Sequence, residues 1–329
     1  MMVRVHGVTD FLRTDDAHFD ALSDWPFAPH DHDWNGLRVR YVDEGPADAP
    51  VVLLLHGMPT WGYLYRTMIP AFVDAGYRCI APDHLGFGRS DKPTDPNWYS
   101  IARHVEVLQS LIEALDLRDV TLVCQDWGGP IGLTQAAAMP ERFSRLIIMN
   151  TWLHHAEYEY SDGIHNWVAM WREGGVFHRE RPNVACVPLF SGELAPMGDL
   201  IGAILEGVEP TLDGEAATNY AGWAAPFRDL PDEGFNGARR FPHSIPIGGA
   251  NPDNAAAHAE VYQRLLDWPK PVHFVWGGRD NVFDEAWGRT WAGAMRASFD
   301  LIPDAHHFLQ NTHGPEIVDI ILRRIAEEA

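Results

Sequence analysis

Six short apolar runs, each followed at once by polar or turn-forming residues, divide this chain. They are Val51–Leu55, Arg78–Ala81, Val120–Cys124, Arg145–Met149, Val272–Trp276 and Phe299–Ile302. Their apolar residues are continuous, whereas the residues of a half-exposed strand alternate between apolar and polar. The runs therefore predict strands of a sheet that is covered on both faces.

Between these runs the apolar positions follow a helical spacing. In Ile101–Leu117 they recur at i, i+3, i+7 and i+10, which places them on one buried face of a helix. Ile131–Met139 and Ile317–Ala329 also predict helices. Alternating strands and helices are typical of an α/β protein with a mostly parallel sheet. Ligands of such sheets bind beyond the carboxyl ends of the strands.

The segment 152–240 interrupts this alternation. It is rich in Trp, Tyr, Gly and Pro and contains no run of the buried-strand type. Helical pieces are predicted at Gly163–Arg172, Gly198–Leu205 and Gly214–Ala224. We therefore predict a core domain of residues 1–151 and 241–329, with residues 152–240 inserted as a helical cap.

Composition narrows the choice of partners. Of 329 residues, 46% are hydrophobic, and 25 basic against 46 acidic side chains give a formal charge of −21. This charge disfavours nucleic acid and anionic membranes as partners. Three cysteines are too few for a disulfide framework, and no signal peptide or apolar span of about 18 residues is seen. We expect a cytoplasmic protein, and the sequence does not indicate its oligomeric state.

The segment 124–129 (CQDWGG) follows a predicted strand and opens a helix. It has the spacing of a nucleophile elbow, in which a strained turn presents one side chain above the sheet. Small residues on either side, here Cys124 and Gly128, let the strand and helix approach each other. The central residue is Asp126 rather than serine, and a carboxylate can displace a leaving group from a saturated carbon to give an ester.

Hydrolysis of such an ester requires donors for an oxyanion. The backbone N–H of Trp127, directly after the nucleophile, is one predicted donor. The backbone N–H of Met58, in the loop after Val51–Leu55, is the other. The indole N–H of Trp127 can also donate to a leaving group, and an apolar cavity with indole donors suits a halide.

A base and an acid complete the predicted set. His307 follows the last predicted strand and is favoured as the base over the adjacent His306. Asp280 follows Val272–Trp276 and is favoured as the acid that supports the base. Asn150 ends an earlier strand but cannot carry the charge, and Asp284 is a weaker alternative.

These residues resemble the haloalkane dehalogenases of the α/β-hydrolase superfamily. The resemblance covers most of the predicted core, and its motifs are HGMPTW at 56–61, YLYR at 63–66, DHLGFGRSDKP at 83–93, QDWG at 125–128 and HFLQ at 307–310. It implies an α/β-hydrolase fold and a haloalkane substrate, with water as the second reactant. It also implies an alcohol and a halide as products and no cofactor.

The resemblance is greatest to the subgroup in which the acid follows the later strand and two tryptophans bind the halide. For the second tryptophan it favours Trp167 over Trp171. Met58 stands where the other subgroup has its asparagine donor, and it also departs from the acidic residue common in the closer subgroup. The implied mechanism is attack by Asp126, followed by hydrolysis of the ester by water that His307 activates.

Two other functions compete. An epoxide hydrolase has the same fold and nucleophile, and its cap tyrosines would be chosen from Tyr158, Tyr160 and Tyr220. Against it, Gln125 stands where that family usually has histidine. A ligand-binding protein without catalysis is the second alternative, but such relatives usually lack one of the three catalytic residues.

Overall fold

An eight-stranded sheet forms the centre of the molecule. The computed structural model describes residues 2–3, 9–173 and 214–328. Within them, six neighbouring strands of this sheet are parallel, and two antiparallel strands extend one edge. The predicted α/β fold with a mostly parallel sheet is confirmed.

The strands and helices of the described residues have the following bounds. The strands are β1 (Met2–Val3), β2 (Phe11–Leu12), β3 (His30–Trp34), β4 (Leu37–Glu44), β5 (Val51–Leu55), β6 (Arg78–Pro82), β7 (Lys92–Pro93), β8 (Val120–Gln125), β9 (Phe143–Met149), β10 (Val272–Gly277) and β11 (Ser298–Ile302). The helices are α1 (Ala17–Asp20), α2 (Met68–Asp74), α3 (Ile101–Ala114), α4 (Gly128–Ala138), α5 (Asp162–Glu173), α6 (Gly214–Ala224), α7 (Asn236–His243), α8 (Pro252–Leu266), α9 (Glu285–Ala294) and α10 (Leu309–Glu327).

All six apolar runs form strands of the large sheet, in the order β11-β10-β9-β8-β5-β6-β4-β3. Side chains of β5 and β8 are buried throughout, as expected for strands covered on both faces. The carboxyl ends of β5, β8, β9 and β10 therefore lie side by side at one edge of the sheet. The predicted functional residues follow these strands.

The β3–β4 hairpin was not among the predicted strands, although its signal is present in the sequence. Asn35 and Gly36 join the two strands, and both have positive φ angles, of 53° and 85°. An Asn-Gly pair between alternating residues is the strongest short-range hairpin signal. The polar run at His30–Asp33 belongs to this edge strand, which is mostly exposed.

In the predicted cap, residues 152–173 and 214–240 contain helical segments and no strand. Helix α5 matches the predicted piece Gly163–Arg172, and α6 has the predicted bounds. The predicted piece Gly198–Leu205 lies outside the described residues. The division into core and cap stays a prediction. No helix in the described part of the chain is long and apolar enough to cross a membrane.

Candidate active site

Asp126 lies in a strained turn between β8 and α4. Its φ angle is +50°, which is uncommon for a residue with a Cβ atom. A Cβ atom on Gly128 would lie 2.2 Å from the carbonyl oxygen of Leu55, so only glycine lets α4 approach β5 this closely. The turn therefore presents the Asp126 side chain above the carboxyl end of the sheet.

Two backbone N–H groups hold the Asp126 carboxylate. The Met58 N–H donates to Oδ1 at 2.8 Å, and the Trp127 N–H also hydrogen-bonds to the carboxylate. Burial raises the pKa of Asp126, while the charge of His307 and the two N–H groups act in the opposite direction without cancelling the shift. The carboxylate is thus desolvated, and one of its oxygens is fixed.

The peptide between Gly57 and Met58 is itself held from its other side. The His84 N–H donates to Nε2 of His56, so Nδ1 of His56 carries the proton and donates to the Gly57 carbonyl at 2.8 Å. The Thr60 hydroxyl donates to the same carbonyl at 2.9 Å. In a trans peptide C=O and N–H point in opposite directions, so these two bonds aim the Met58 N–H at Asp126.

His307 links Asp126 to Asp280. Its Nδ1 lies 2.9 Å from Oδ2 of Asp280, and its Nε2 lies 3.8 Å from Oδ2 of Asp126. Burial opposes the charged imidazolium, but the charge of Asp280, its hydrogen bond and the charge of Asp126 together outweigh burial. The pKa of His307 is therefore raised. The second distance is too long for a hydrogen bond.

Asp280 has donors on both of its oxygens. Oδ1 accepts the N–H groups of Val282 and Phe283 at 2.7 and 3.1 Å. Oδ2 accepts the amide of Asn150 at 2.7 Å as well as His307. These bonds fix the position of the buried carboxylate and direct it at the imidazole.

Asn150 and Asp284, the two rejected positions for the acid, have other roles. Asn150 directly follows β9, the neighbour of β10, and there it orients Asp280 and accepts the Gly277 N–H at 2.8 Å. The sequence excluded Asn150 as an acid but did not reveal it as a donor. Asp284 is the N-cap of α9 and accepts the Trp287 N–H at 2.8 Å.

A small apolar cavity lies above Asp126. Its volume is about 20 Å³, enough for about one water molecule. The described residues that line it are Met58, Asp126, Trp127, Trp152, Ile164, Trp167, Ile245, Val282, Phe283 and His307. Trp127, predicted from its place after the nucleophile, and Trp167, favoured by the family resemblance, therefore border the same space as Asp126.

The competing aromatic residues lie elsewhere or are not described. The side chain of Trp171 lies outside the described residues. Tyr158 and Tyr160 line a separate groove of about 640 Å³ with His154 and His165. No tyrosine is among the described residues that line the cavity above Asp126.

Trp152 borders the cavity and was not predicted. It is fully buried and contacts Trp127 edge to face, with ring centroids 4.6 Å apart. Its position three residues after the end of β9 was the available signal, because the carboxyl ends of the strands face the site.

The chain is similar to known proteins along nearly its whole length. A family model described as the alpha/beta hydrolase fold matches residues 50–183. Proteins named haloalkane dehalogenase from Mycolicibacterium paratuberculosis and Psychrobacter cryohalolentis are 38% and 37% identical to it. These two matches cover 94% and 95% of this chain, and 97% of each relative.

A solved structure has the same fold. The haloalkane dehalogenase DpaA from Paraglaciecola agarilytica NO2, whose structure is described as tetrameric, superposes with a TM-score of 0.78 at 33% identity. The superposition covers 94% of this chain and 97% of that one. The match therefore includes both the sheet and the segments that follow β9.

Proposed function

This chain belongs to the haloalkane dehalogenases, hydrolases that act on carbon–halide bonds, and we propose that it works through a covalent alkyl ester of Asp126. The observation that carries the proposal is the line of contacts from Asp126 through His307 to Asp280 in one buried site. The substrate is a neutral haloalkane, and the products are an alcohol, a halide ion and a proton.

In the first step Oδ2 of Asp126 attacks the carbon that bears the halogen, and the carbon–halogen bond breaks. The Met58 N–H occupies Oδ1, which supports Oδ2 as the attacking atom. Burial favours this step because a desolvated carboxylate is a stronger nucleophile than a hydrated one. The electron pair of the broken bond leaves with the halide.

The departing halide is held by indole N–H groups of Trp127 and Trp167. The support for this assignment is that both residues border the cavity above Asp126. A halide is large and weakly hydrated, so an apolar cavity with neutral donors compensates for its loss of water. This pair is also the feature by which the chain fits the subgroup with two halide-binding tryptophans.

In the second step His307 takes a proton from water through Nε2, and the hydroxide adds to the carbonyl carbon of the ester. The oxyanion forms at Oδ1, to which the Met58 N–H already donates, and the Trp127 N–H lies at the same carboxyl group as the second donor. Asp280 stabilises the imidazolium. The bond between the carbonyl carbon and Oδ2 then breaks, and His307 returns its proton to the leaving alkoxide. The alcohol leaves with the oxygen that Asp126 contributed, and Asp126 keeps the oxygen of the water and releases the remaining proton.

A single turnover in H₂¹⁸O with enzyme in excess tests this route. We expect the alcohol to contain ¹⁶O and the peptide that carries Asp126 to gain one ¹⁸O, measured by mass spectrometry. Direct attack of water on the haloalkane would instead put ¹⁸O in the alcohol and leave the peptide unlabelled. That result would disprove the covalent route.

The peptide bond between Gly57 and Met58, whose carbonyl accepts hydrogen bonds from His56 and Thr60, gives a second prediction. Thr60→Val removes one of the two donors to the Gly57 carbonyl, so the Met58 N–H is less firmly aimed. We expect ester hydrolysis to slow roughly 10-fold, less than the 10²–10³-fold typical when an oxyanion donor is lost. Stopped-flow halide release should show an initial burst that is affected less than the steady rate.

The matched control is Thr60→Ser, which keeps the hydroxyl and should retain the steady rate. Equal losses in the serine and valine variants would show that the packing of the side chain at this position matters, whether or not the hydroxyl is present. In that case the role assigned to Thr60 is wrong.

The epoxide hydrolase alternative is less well supported, because the described lining of the cavity offers no tyrosine to protonate an epoxide oxygen. Assays on a panel of chloro-, bromo- and iodoalkanes and one epoxide distinguish the two functions. Turnover of the epoxide without release of halide from any haloalkane would favour the alternative.

A further inference from the structure

The side chain of Gln125, directly before the nucleophile, contacts His307 at two points. Its amide nitrogen lies 3.0 Å from the His307 carbonyl oxygen and 3.2 Å from Nε2 of the ring. Gln125 is completely buried at the end of β8. The same amide nitrogen therefore contacts both the backbone and the reactive ring atom of His307.

The orientation of this amide follows from its partners. A carbonyl oxygen only accepts hydrogen bonds, so the NH₂ group and not Oε1 must face it. The second hydrogen of the Gln125 NH₂ group can then be donated to Nε2 of His307. Nδ1 of His307 donates to Asp280, which leaves Nε2 with a lone pair that can accept.

Two carboxylates next to His307 act in the other direction. Asp280 lies 2.9 Å from Nδ1 and Asp126 lies 3.8 Å from Nε2, and both favour the imidazolium. The rings of Phe283 and Phe308 complete its surroundings with apolar surface. The N–H of Gln125 favours the neutral ring, as burial also does, because it binds only an unprotonated Nε2.

We propose that Gln125 is a positioning residue that keeps Nε2 of His307 free of a proton, and thereby available to water, in the reaction proposed above. The mechanism depends on a neutral ring because an imidazolium cannot act as the base. Once Asp126 is esterified, its negative charge is gone, and the neutral ring is favoured further. Water then replaces the amide at Nε2, while the bond to the His307 carbonyl keeps the loop in place.

Two variants of Gln125 test the proposal in the free enzyme. Gln125→Met has a similar length but cannot donate, and it should raise the pKa of His307 by up to about one unit, the size expected for one hydrogen bond. Gln125→Glu can accept from a protonated Nε2 and should raise this pKa further. The measurement is a ¹⁵N NMR titration of histidine-labelled protein, with His307 identified from the His307→Gln variant.

The same variants should change the rate of ester hydrolysis but not the rate of the first step, in which the halide is released. As the pH falls, ester hydrolysis should be lost at a higher pH in Gln125→Met than in the wild type, whereas the halide burst should keep its pH dependence. In Gln125→Glu the alkyl-enzyme should accumulate at neutral pH.

Gln135 provides a matched control. It is equally buried, and its amide donates to the Val105 carbonyl at 2.7 Å without contacting a histidine ring. Gln135→Met should reproduce any loss of stability but leave the His307 titration and the pH profile unchanged. An unshifted or lowered His307 pKa in both Gln125 variants would overturn the proposal. Failure to trap an ester would contradict the proposed function instead, because the titration does not depend on turnover.

Discussion

Asp126→Ala is expected to lower halide release by at least about 10⁴-fold, the loss typical when a nucleophile is removed. Alanine cannot form the ester, and the residual rate would come from water in the cavity. Bound halide should quench tryptophan fluorescence at least as strongly as in the wild type, because the variant lacks the negative charge that repels the ion. Halide release and fluorescence titration measure the two effects.

Asp284→Ala is the matched control for this variant. It removes a carboxylate that caps α9, so it should cost about 1 kcal/mol of stability and leave the activity in place. If Asp126→Ala released halide within a factor of ten of the wild-type rate, Asp126 would not be the nucleophile.

His307→Gln should separate the two steps of the reaction. Attack by Asp126 needs no base, so about one halide per enzyme should be released in a burst. Turnover should then fall by about 10⁴-fold, because no group activates water. Intact-protein mass spectrometry should detect the added alkyl group, and digestion should locate it on the peptide that contains Asp126.

The neighbouring His306 provides the control for this result. His306→Gln changes the same residue type in the same loop, next to the residue whose Nδ1 contacts Asp280. We expect it to turn over without accumulating ester. Accumulation in His306→Gln, with normal turnover in His307→Gln, would exchange the roles of the two histidines.

The strands of the sheet and the residues at their ends could be predicted from the sequence. Continuous apolar runs mark buried strands directly, and Asp126, Asp280 and His307 each follow such a run or the strand that it predicts. Parallel strands end at the same edge of a sheet. The functional side chains that follow them can therefore be placed together from the sequence alone. This is why three residues so far apart along the chain could be assigned to one site.

Roles that depend on which strands are neighbours could not be predicted in this way. Asn150 becomes the donor to Asp280 only because β9 and β10 pair, and Gln125 contacts His307 only because the last loop folds back over β8. Thr60 is four residues from His56, yet its bond to Gly57 follows from the path of that loop. Each of these contacts can be recognised only from the three-dimensional structure.

The pairing of β9 with β10 has a consequence for how the protein folds. These strands are hydrogen-bonded neighbours, with Val272 opposite Leu146, although residues 150–271 intervene. Closing so long an excursion is entropically costly and slow, so we expect β5, β6, β8 and β9 to form an early intermediate. Asp126 and Met58 belong to that early half, whereas Asp280 and His307 arrive with β10 and β11. Enzymatic activity should therefore appear only in the last phase of refolding, after most of the secondary structure has formed.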